Sequence, residues 1–118
     1  MGSSDKLLLD TNMLISLFRF GVDLGDHELF VTESVVDELR SMRSQHARAA
    51  LNFVELKCGV LKSVLSYADA DLVEVASASG CILATNDREL RKSAKARGVR
   101  TAYLREKKML VIDGAAQI

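Results

Sequence analysis

At 118 residues the chain is long enough for one domain with a real core and suits one domain better than two. A hydrophobic fraction of 48% is ordinary for a globular protein, and no apolar run is long enough for a membrane span or reads as a signal peptide. Sixteen bases balance sixteen acids, so the overall charge singles out no partner.

Met1-Gly2-Ser3-Ser4 reads as an N-terminal remnant outside the fold, which leaves residues 5–118 as a single expected domain. Residues 6–10 form the first expected strand, in which Leu7-Leu8-Leu9 runs into Asp10-Thr11-Asn12. A helix follows from Met13 to Phe20 and ends near Gly21. Leu29-Phe30-Val31 is a short strand, and Thr32 or Ser34 can cap the next helix, at residues 33–43. Gln45 to Lys57 is Ala- and Leu-rich and helical, stopped by Gly59. Val60 to Leu65 is a strand, and Asp69 to Ser79 a helix stopped by Gly80. Cys81 to Thr85 is a strand in which Ile82-Leu83-Ala84 runs into Thr85-Asn86-Asp87. Asp87 to Arg97 is a helix stopped by Gly98, Thr101 to Leu104 is a strand, and Met109 to Ile112 is a short extra one. Strands alternating with helices predict an α/β fold, a three-layer α/β/α arrangement around a central parallel sheet of about five strands.

In such sheets ligands bind just beyond the carboxyl ends of the strands, which is where Asp10 and Asp87 fall. Helical geometry selects two further acids. In the 33–43 helix, Val35, Leu39 and Met42 form one stripe, and Glu38 lies roughly 40° from Met42 at its edge, whereas Asp37 points away. In the 69–79 helix, Leu72, Val75 and Ala76 define the inner face; Asp69 falls on it, Asp71 sits off its edge and Glu74 points outward. Each acid also has an ordinary explanation, because Asp10, Asp69 and Asp87 all stand where helix caps stand. Their convergence is what favours a site.

Charge is unevenly spread. Residues 1–38 hold Asp5, Asp10, Asp23, Asp26, Glu28, Glu33, Asp37 and Glu38 against Lys6 and Arg19. Residues 88–108 hold Arg88, Arg91, Lys92, Lys95, Arg97, Arg100, Arg105, Lys107 and Lys108 against Glu89 and Glu106. Such segregation marks either a nucleic-acid face or a solvated basic helix. Most of the six aromatics read as core, so base stacking is not an evident source of specificity. His27 and His46 read as surface residues, and Cys58 and Cys81 as buried reduced thiols of a cytoplasmic protein.

Four blocks in order carry a family resemblance: Leu8-Leu9-Asp10-Thr11-Asn12; Glu33-Ser34-Val35-Val36-Asp37-Glu38-Leu39; Ala68-Asp69-Ala70-Asp71-Leu72-Val73; and Ile82-Leu83-Ala84-Thr85-Asn86-Asp87-Arg88-Glu89-Leu90-Arg91. From Lys6 to Ile112 the chain resembles a PIN domain, closest to the stand-alone archaeal and ribosome-processing branch and less like the typical toxin branch. The resemblance implies a metal-dependent endoribonuclease that leaves 5′-phosphate and 3′-hydroxyl ends. It implies that Asp10, Glu38, Asp69 and Asp87 form the acidic quartet that holds Mg2+ or Mn2+, and that Thr11, Asn12, Thr85 and Asn86 orient carboxylates, water or the scissile phosphate. Asp71 is a supporting acid on the same basis. Oxygen ligands of this kind suit these hard cations.

RNA is the expected substrate, positioned by Arg88, Arg91, Lys92 and Lys95, with Arg40 and Arg43 (and Arg48) extending the surface. A homodimer through exposed apolar residues near Leu14, Leu17 and Phe18, and a protein partner such as an antitoxin or a processing factor, remain open; a membrane partner is not expected. Other classes fit less well. A haloacid-dehalogenase-type phosphatase wants an acid at Asn12, a dinucleotide-binding domain wants a Gly-rich first turn, and a receiver domain wants an acidic pair at the first strand. The serious alternatives are a toxin ribonuclease paired with an antitoxin and a catalytically weak RNA-binding scaffold.

Overall fold

A computed structural model describes residues 5–113. The expectations for residues 1–4 and for 114–118 as the end of the domain lie outside the described residues. Eleven elements follow in chain order. They are β1 (Lys6–Leu9), α1 (Thr11–Phe20), β2 (Glu28–Thr32), α2 (Glu33–Ser41), α3 (Gln45–Lys57), β3 (Cys58–Leu61), α4 (Ala68–Ser79), β4 (Ile82–Ala84), α5 (Arg88–Ala96), β5 (Thr101–Arg105) and β6 (Met109–Asp113).

The strands form one mixed sheet in the order β3-β2-β1-β4-β5-β6. β1 to β5 are parallel, and β6, the short extra strand expected at Met109 to Ile112, pairs antiparallel with β5. Parallel crossovers are right-handed. The chain steps from β1 through β2 to β3 in one direction, and from β1's other side through β4 to β5 in the opposite direction. That reversal puts α1, α2 and α3 on one face, where they pack on one another, and α4 and α5 together on the other. β1 and β4 flank the point of reversal, and their carboxyl ends open into the crevice where such sheets bind ligands.

Leu7, Leu8 and Leu9 of β1 and Leu83 and Ala84 of β4 are all fully buried, as covering on both faces requires. Asp10, Thr32, Ser44 and Asp87 cap α1, α2, α3 and α5, each accepting a first-turn backbone N–H. Of the two residues expected to cap α2, Thr32 does so, and Ser34 instead bonds Ser63.

Several expectations are corrected. Met42 is not on the α2 stripe; it lies past the helix end, 36% exposed, and Val36 takes its place in the core. β3 begins at Cys58 rather than Val60, and residues 62–65 are loop. α3 stops because Cys58 turns extended to pair with Leu29, while Gly59 is a strand residue beneath the Phe30 ring. A Cβ there would sit 2.7 Å from Phe30 Cε1. Gly59→Ala is therefore expected to cost about 1–3 kcal/mol in a urea unfolding titration; an unchanged midpoint would mean that the ring moves aside freely. Leu14 and Leu17 are buried in the core and Phe18 packs edge-on against Phe53, so the apolar residues expected to support a homodimer are already used inside the fold.

Candidate active site

Each acid of the expected quartet comes from a different element at the carboxyl end of the sheet. Asp10 follows β1 and caps α1, its Oδ1 accepting from Met13 N at 2.7 Å. Glu38 projects from the last turns of α2, Asp69 from the first turn of α4, and Asp87 caps α5 with bonds from Glu89 N and Leu90 N. All four line one cleft of about 420 Å³, shared with Thr11, Asn12, Ser34 and Asn86.

Asp10 is the buried member, 9% exposed, while the other three face the opening. Burial raises its pKa above the usual carboxylate range. Hydrogen bonds from Thr85 and Met13 oppose the shift, and the charges of Asp69 and Asp87 add to it. Asp10 thus feels two of its three partners directly, which is the electrostatic signature of acids gathered around one space.

Thr85 links the two strand ends. Its hydroxyl donates to Asp10 Oδ2 and accepts from Asp87 N at 3.1 Å. Thr11 on the opposite wall donates its hydroxyl to Glu38 Oε1 at 2.8 Å. Each of the two threonine hydroxyls thus holds one carboxylate of the cleft. Asn12 is exposed on the cleft wall. Asn86 lines the cleft, but its Oδ1 accepts from Leu104 N at 2.8 Å and so ties the β4–α5 turn to the end of β5.

Asp71 is not in the cleft. It is fully buried, its Oδ1 accepting from Val64 N at 2.6 Å and Leu65 N at 2.9 Å, while Oδ2 has no partner among the described residues. The expectation that Asp71 lies off the inner face is corrected. The buried arc of α4 runs through Asp71, Val75, Leu72, Ala76 and Val73, roughly 200° around the axis. Asp69 points the same way as expected, yet it is exposed, because the first turn of α4 overhangs the strand ends and its inner face looks into the cleft.

The bases divide into two groups. Arg88 and Lys92 on α5 and Arg43 beyond α2 are exposed and make no ion pair among the described residues. Arg40 faces Asp37 at 3.9 Å in an exposed pair of little strength. Arg91 donates to Thr85 O at 3.1 Å and lies 4.8 Å above the centre of the Tyr103 ring, and Lys95 pairs with Asp113. Arg91 and Lys95 therefore brace the α5–β5–β6 side of the site, a part their positions in the sequence did not reveal.

Sequence reasoning missed Ser34, a cleft-wall residue whose hydroxyl shares a hydrogen bond with Ser63 at 2.9 Å. A polar residue in the first turn after a buried strand was the available signal. His27 is half-buried rather than a plain surface residue, with Nδ1 enclosed and unpartnered among the described residues, far from the acids. Cys58 and Cys81 are free thiols, and burial pushes Cys58 up to about 11, which keeps it unreactive at neutral pH.

Among the described residues no three His, Cys, Asp or Glu side chains are packed closely enough to enclose an ion. The donors nevertheless fit a hard divalent cation: they are carboxylate oxygens, and the cleft leaves room for the waters such a cation retains. No helix among the described residues is long and apolar enough to cross a membrane.

Residues 4–107 match the family model of a PIN like domain. Ribonuclease VapC9 of Archaeoglobus fulgidus is 34% identical over 120 aligned positions, covering 90% of this chain and 87% of the relative. Among solved structures, the PIN domain endonuclease Utp24 superimposes with a TM-score of 0.74 at 21% identity, covering 92% of this chain and 90% of that one. A domain of a functionally unknown protein from Methanocaldococcus jannaschii superimposes at 0.62 with 22% identity, covering 86% and 92%. At these identities the two superpositions speak for the fold alone.

Proposed function

Because the chain belongs to the PIN-like domain family, we propose that it is a metal-dependent endoribonuclease whose site is the quartet Asp10, Glu38, Asp69 and Asp87. The observation that carries the reading is the convergence of four acids from four elements on one cleft, with Asp10 buried and burdened by the charges of Asp69 and Asp87. Mutual repulsion of that kind is relieved by protonation at low pH or by a bound divalent cation. Bound among these carboxylates, Mg2+ or Mn2+ supplies Lewis-acid polarisation of a phosphate and a water of lowered pKa.

The chain's own residues do the positioning. Thr85 holds Asp10 and the start of α5 in one register, and Thr11 holds Glu38 toward the cleft. Arg88 and Lys92, on the helix that Asp87 caps, and Arg43, just past the helix that bears Glu38, are exposed and are the side chains we assign to the phosphates around the bond to be cut. Arg40 is exposed and available to RNA, its pair with Asp37 being weak. RNA is the substrate class we assign, in a cytoplasmic setting.

A second reading is favoured by the identity to ribonuclease VapC9. On it, the protein is a toxin-type ribonuclease restrained by an antitoxin that covers the cleft.

The test is cleavage of single-stranded and structured RNA with Mg2+, with Mn2+ and with excess chelator. Cleavage is expected with either metal and none with chelator. Cleavage that persists in chelator would remove the metal from the mechanism, and RNA binding without cleavage would leave a scaffold. Replacing Arg88 and Lys92 by Ala is expected to weaken RNA binding and to flatten its salt dependence by about 0.7 per lost phosphate contact on a log–log plot. An unchanged slope would place the RNA on another face.

A further inference from the structure

Two basic side chains from distant parts of the chain meet over one exposed aromatic ring. Phe20 ends α1 and is 38% exposed, although the sequence suggests a core residue. The Arg19 guanidinium carbon lies 5.5 Å from the centre of the Phe20 ring, and Lys107 Nζ, from the β5–β6 turn, lies 5.1 Å from the same centre. We propose that Arg19 and Lys107, gathered on Phe20, form a phosphate-binding pair that holds single-stranded RNA outside the acidic cleft. The proposal deepens the ribonuclease reading and rests on it for the identity of the polyanion.

Charge balance is the first argument. Some exposed bases have acid partners, Lys95 with Asp113, Arg97 with Glu74, Arg100 with Asp5 and Arg40 with Asp37, while Arg88, Lys92 and Arg43 have none among the described residues and share no common contact with one another. Arg19 and Lys107 have none among the described residues and share a ring instead. A ring attracts each cation through its quadrupole but does not neutralise it. Two like charges are thereby brought together with their attraction for an anion undiminished, and a phosphodiester oxygen placed between them relieves the repulsion.

Presentation is the second. The β5–β6 hairpin turns through Glu106 and Lys107, both left-handed at φ 53° and 57°, closed by Lys108 N donating to Arg105 O at 3.0 Å. This fixed turn brings Lys107 to Phe20, and Lys108 and Arg105 add positive charge beside it.

Placement is the third. The turn lies past the carboxyl end of β5, which Asn86 ties at Leu104 to the segment bearing Asp87. α1 starts beside Asp10 and reaches Phe20 ten residues later, about 15 Å along its axis. The pair thus stands one helix length from the cleft, on the path of a strand that leaves it. With both cations over the ring, Phe20 serves as their platform rather than as a stacking surface, so the contact reads phosphate and carries no base preference.

The experiment uses a single-stranded RNA of about twenty nucleotides, bound across a salt series by the Asp10→Asn protein with and without Arg19→Ala/Lys107→Ala. Loss of two phosphate contacts is expected to weaken binding about tenfold at low salt and to reduce the salt slope by about 1.4. The charge-preserving Arg19→Lys/Lys107→Arg protein is expected to restore both, and Phe20→Leu to give an intermediate loss. All four positions but the cleft acid are exposed, and thermal melting checks that the variants fold; Gln replaces Ala if they do not. Unchanged affinity and slope overturn the pair.

With Asp10 intact, Arg19→Ala/Lys107→Ala is expected to raise KM for the long RNA and to leave cleavage of a substrate too short to span 15 Å unaltered. Equal loss on both lengths also overturns it. Failure of the nuclease reading is distinguishable, because the unaltered protein would then cleave neither substrate with metal while the binding comparison still decides the pair.

Discussion

Replacing Asp10 by Asn is expected to reduce RNA cleavage by about a thousandfold or more and to leave the fold intact. The magnitude is that of removing a preorganised electrostatic group from a catalytic centre. The fold survives because Asn keeps an oxygen to accept from Met13 N, and Thr85 Oγ1 can accept from the new amide. Stability should move the other way from activity. Burial and the charges of Asp69 and Asp87 raise the pKa of Asp10, so its folded form holds a proton more tightly than its unfolded form. The contribution of this group is therefore most favourable below the unfolded value, about 3.9, and is lost as pH rises through the raised folded value.

At neutral pH the ionised Asp10 weakens the metal-free protein, and Asp10→Asn should melt no lower than the parent. A divalent cation reverses the balance, stabilising the parent by about 2.7 kcal/mol at a hundred times its dissociation constant. Thermal melting with and without Mg2+ or Mn2+, at neutral and mildly acidic pH, reads all of this. The expected pattern is a metal-dependent rise for the parent that shrinks as Asp10 is protonated, and a much smaller rise for Asp10→Asn. Equal metal shifts in both proteins would remove Asp10 from the metal site, and undiminished cleavage by Asp10→Asn would move the chemistry elsewhere.

The second large effect is expected two residues from a proposed catalytic acid and for the opposite reason. Asp71→Ala should lower stability by about 1–3 kcal/mol, since it removes the acceptor of two part-buried backbone N–H groups, those of Val64 and Leu65. That loop is held from its other side by Ser63, whose N–H donates to Glu33 Oε1 and whose hydroxyl meets Ser34. Releasing one side should loosen the approach to Asp69 and increase proteolysis within residues 62–67. Asp71→Asn keeps one acceptor oxygen and should lose much less. Asp69→Asn should show the reverse profile, with a near-normal urea midpoint and lost cleavage. Equal stability for Asp69→Ala and Asp71→Ala would mean that the carboxylate clasp contributes nothing.

These two acids show where sequence reading works and where it stops. Period and spacing place Asp69 on the inward side of α4, and it is there. They also place Asp71 off the edge of that face, whereas it is fully buried. A helix covered by a loop as well as by a sheet buries a wider arc than its apolar stripe, and a short polar residue can belong to that arc when the loop's own backbone supplies its partners. The same limit governs the bases. Lys92 and Lys95 look alike in sequence, yet Lys95 meets Asp113 of a strand whose position depends on the antiparallel turn after β5.

By itself, the sequence determined the local structure and the chemistry on offer. Buried runs ending in Asp10 and Asp87, caps at Asp10, Thr32 and Asp87, and helix ends at Gly21 and Gly80 are all written in neighbouring residues, because strands, caps and turns are short-range phenomena. Tertiary structure alone decided which of those residues share a space. It put four acids around one cleft, turned Asp71 and Asn86 to holding backbone, and gave Arg91 and Lys95 partners within the fold. It also brought Lys107 to the ring of Phe20 across 87 positions of chain. Contacts of that range depend on the sheet's strand order, which reverses between β1 and β4, and no local pattern encodes that reversal.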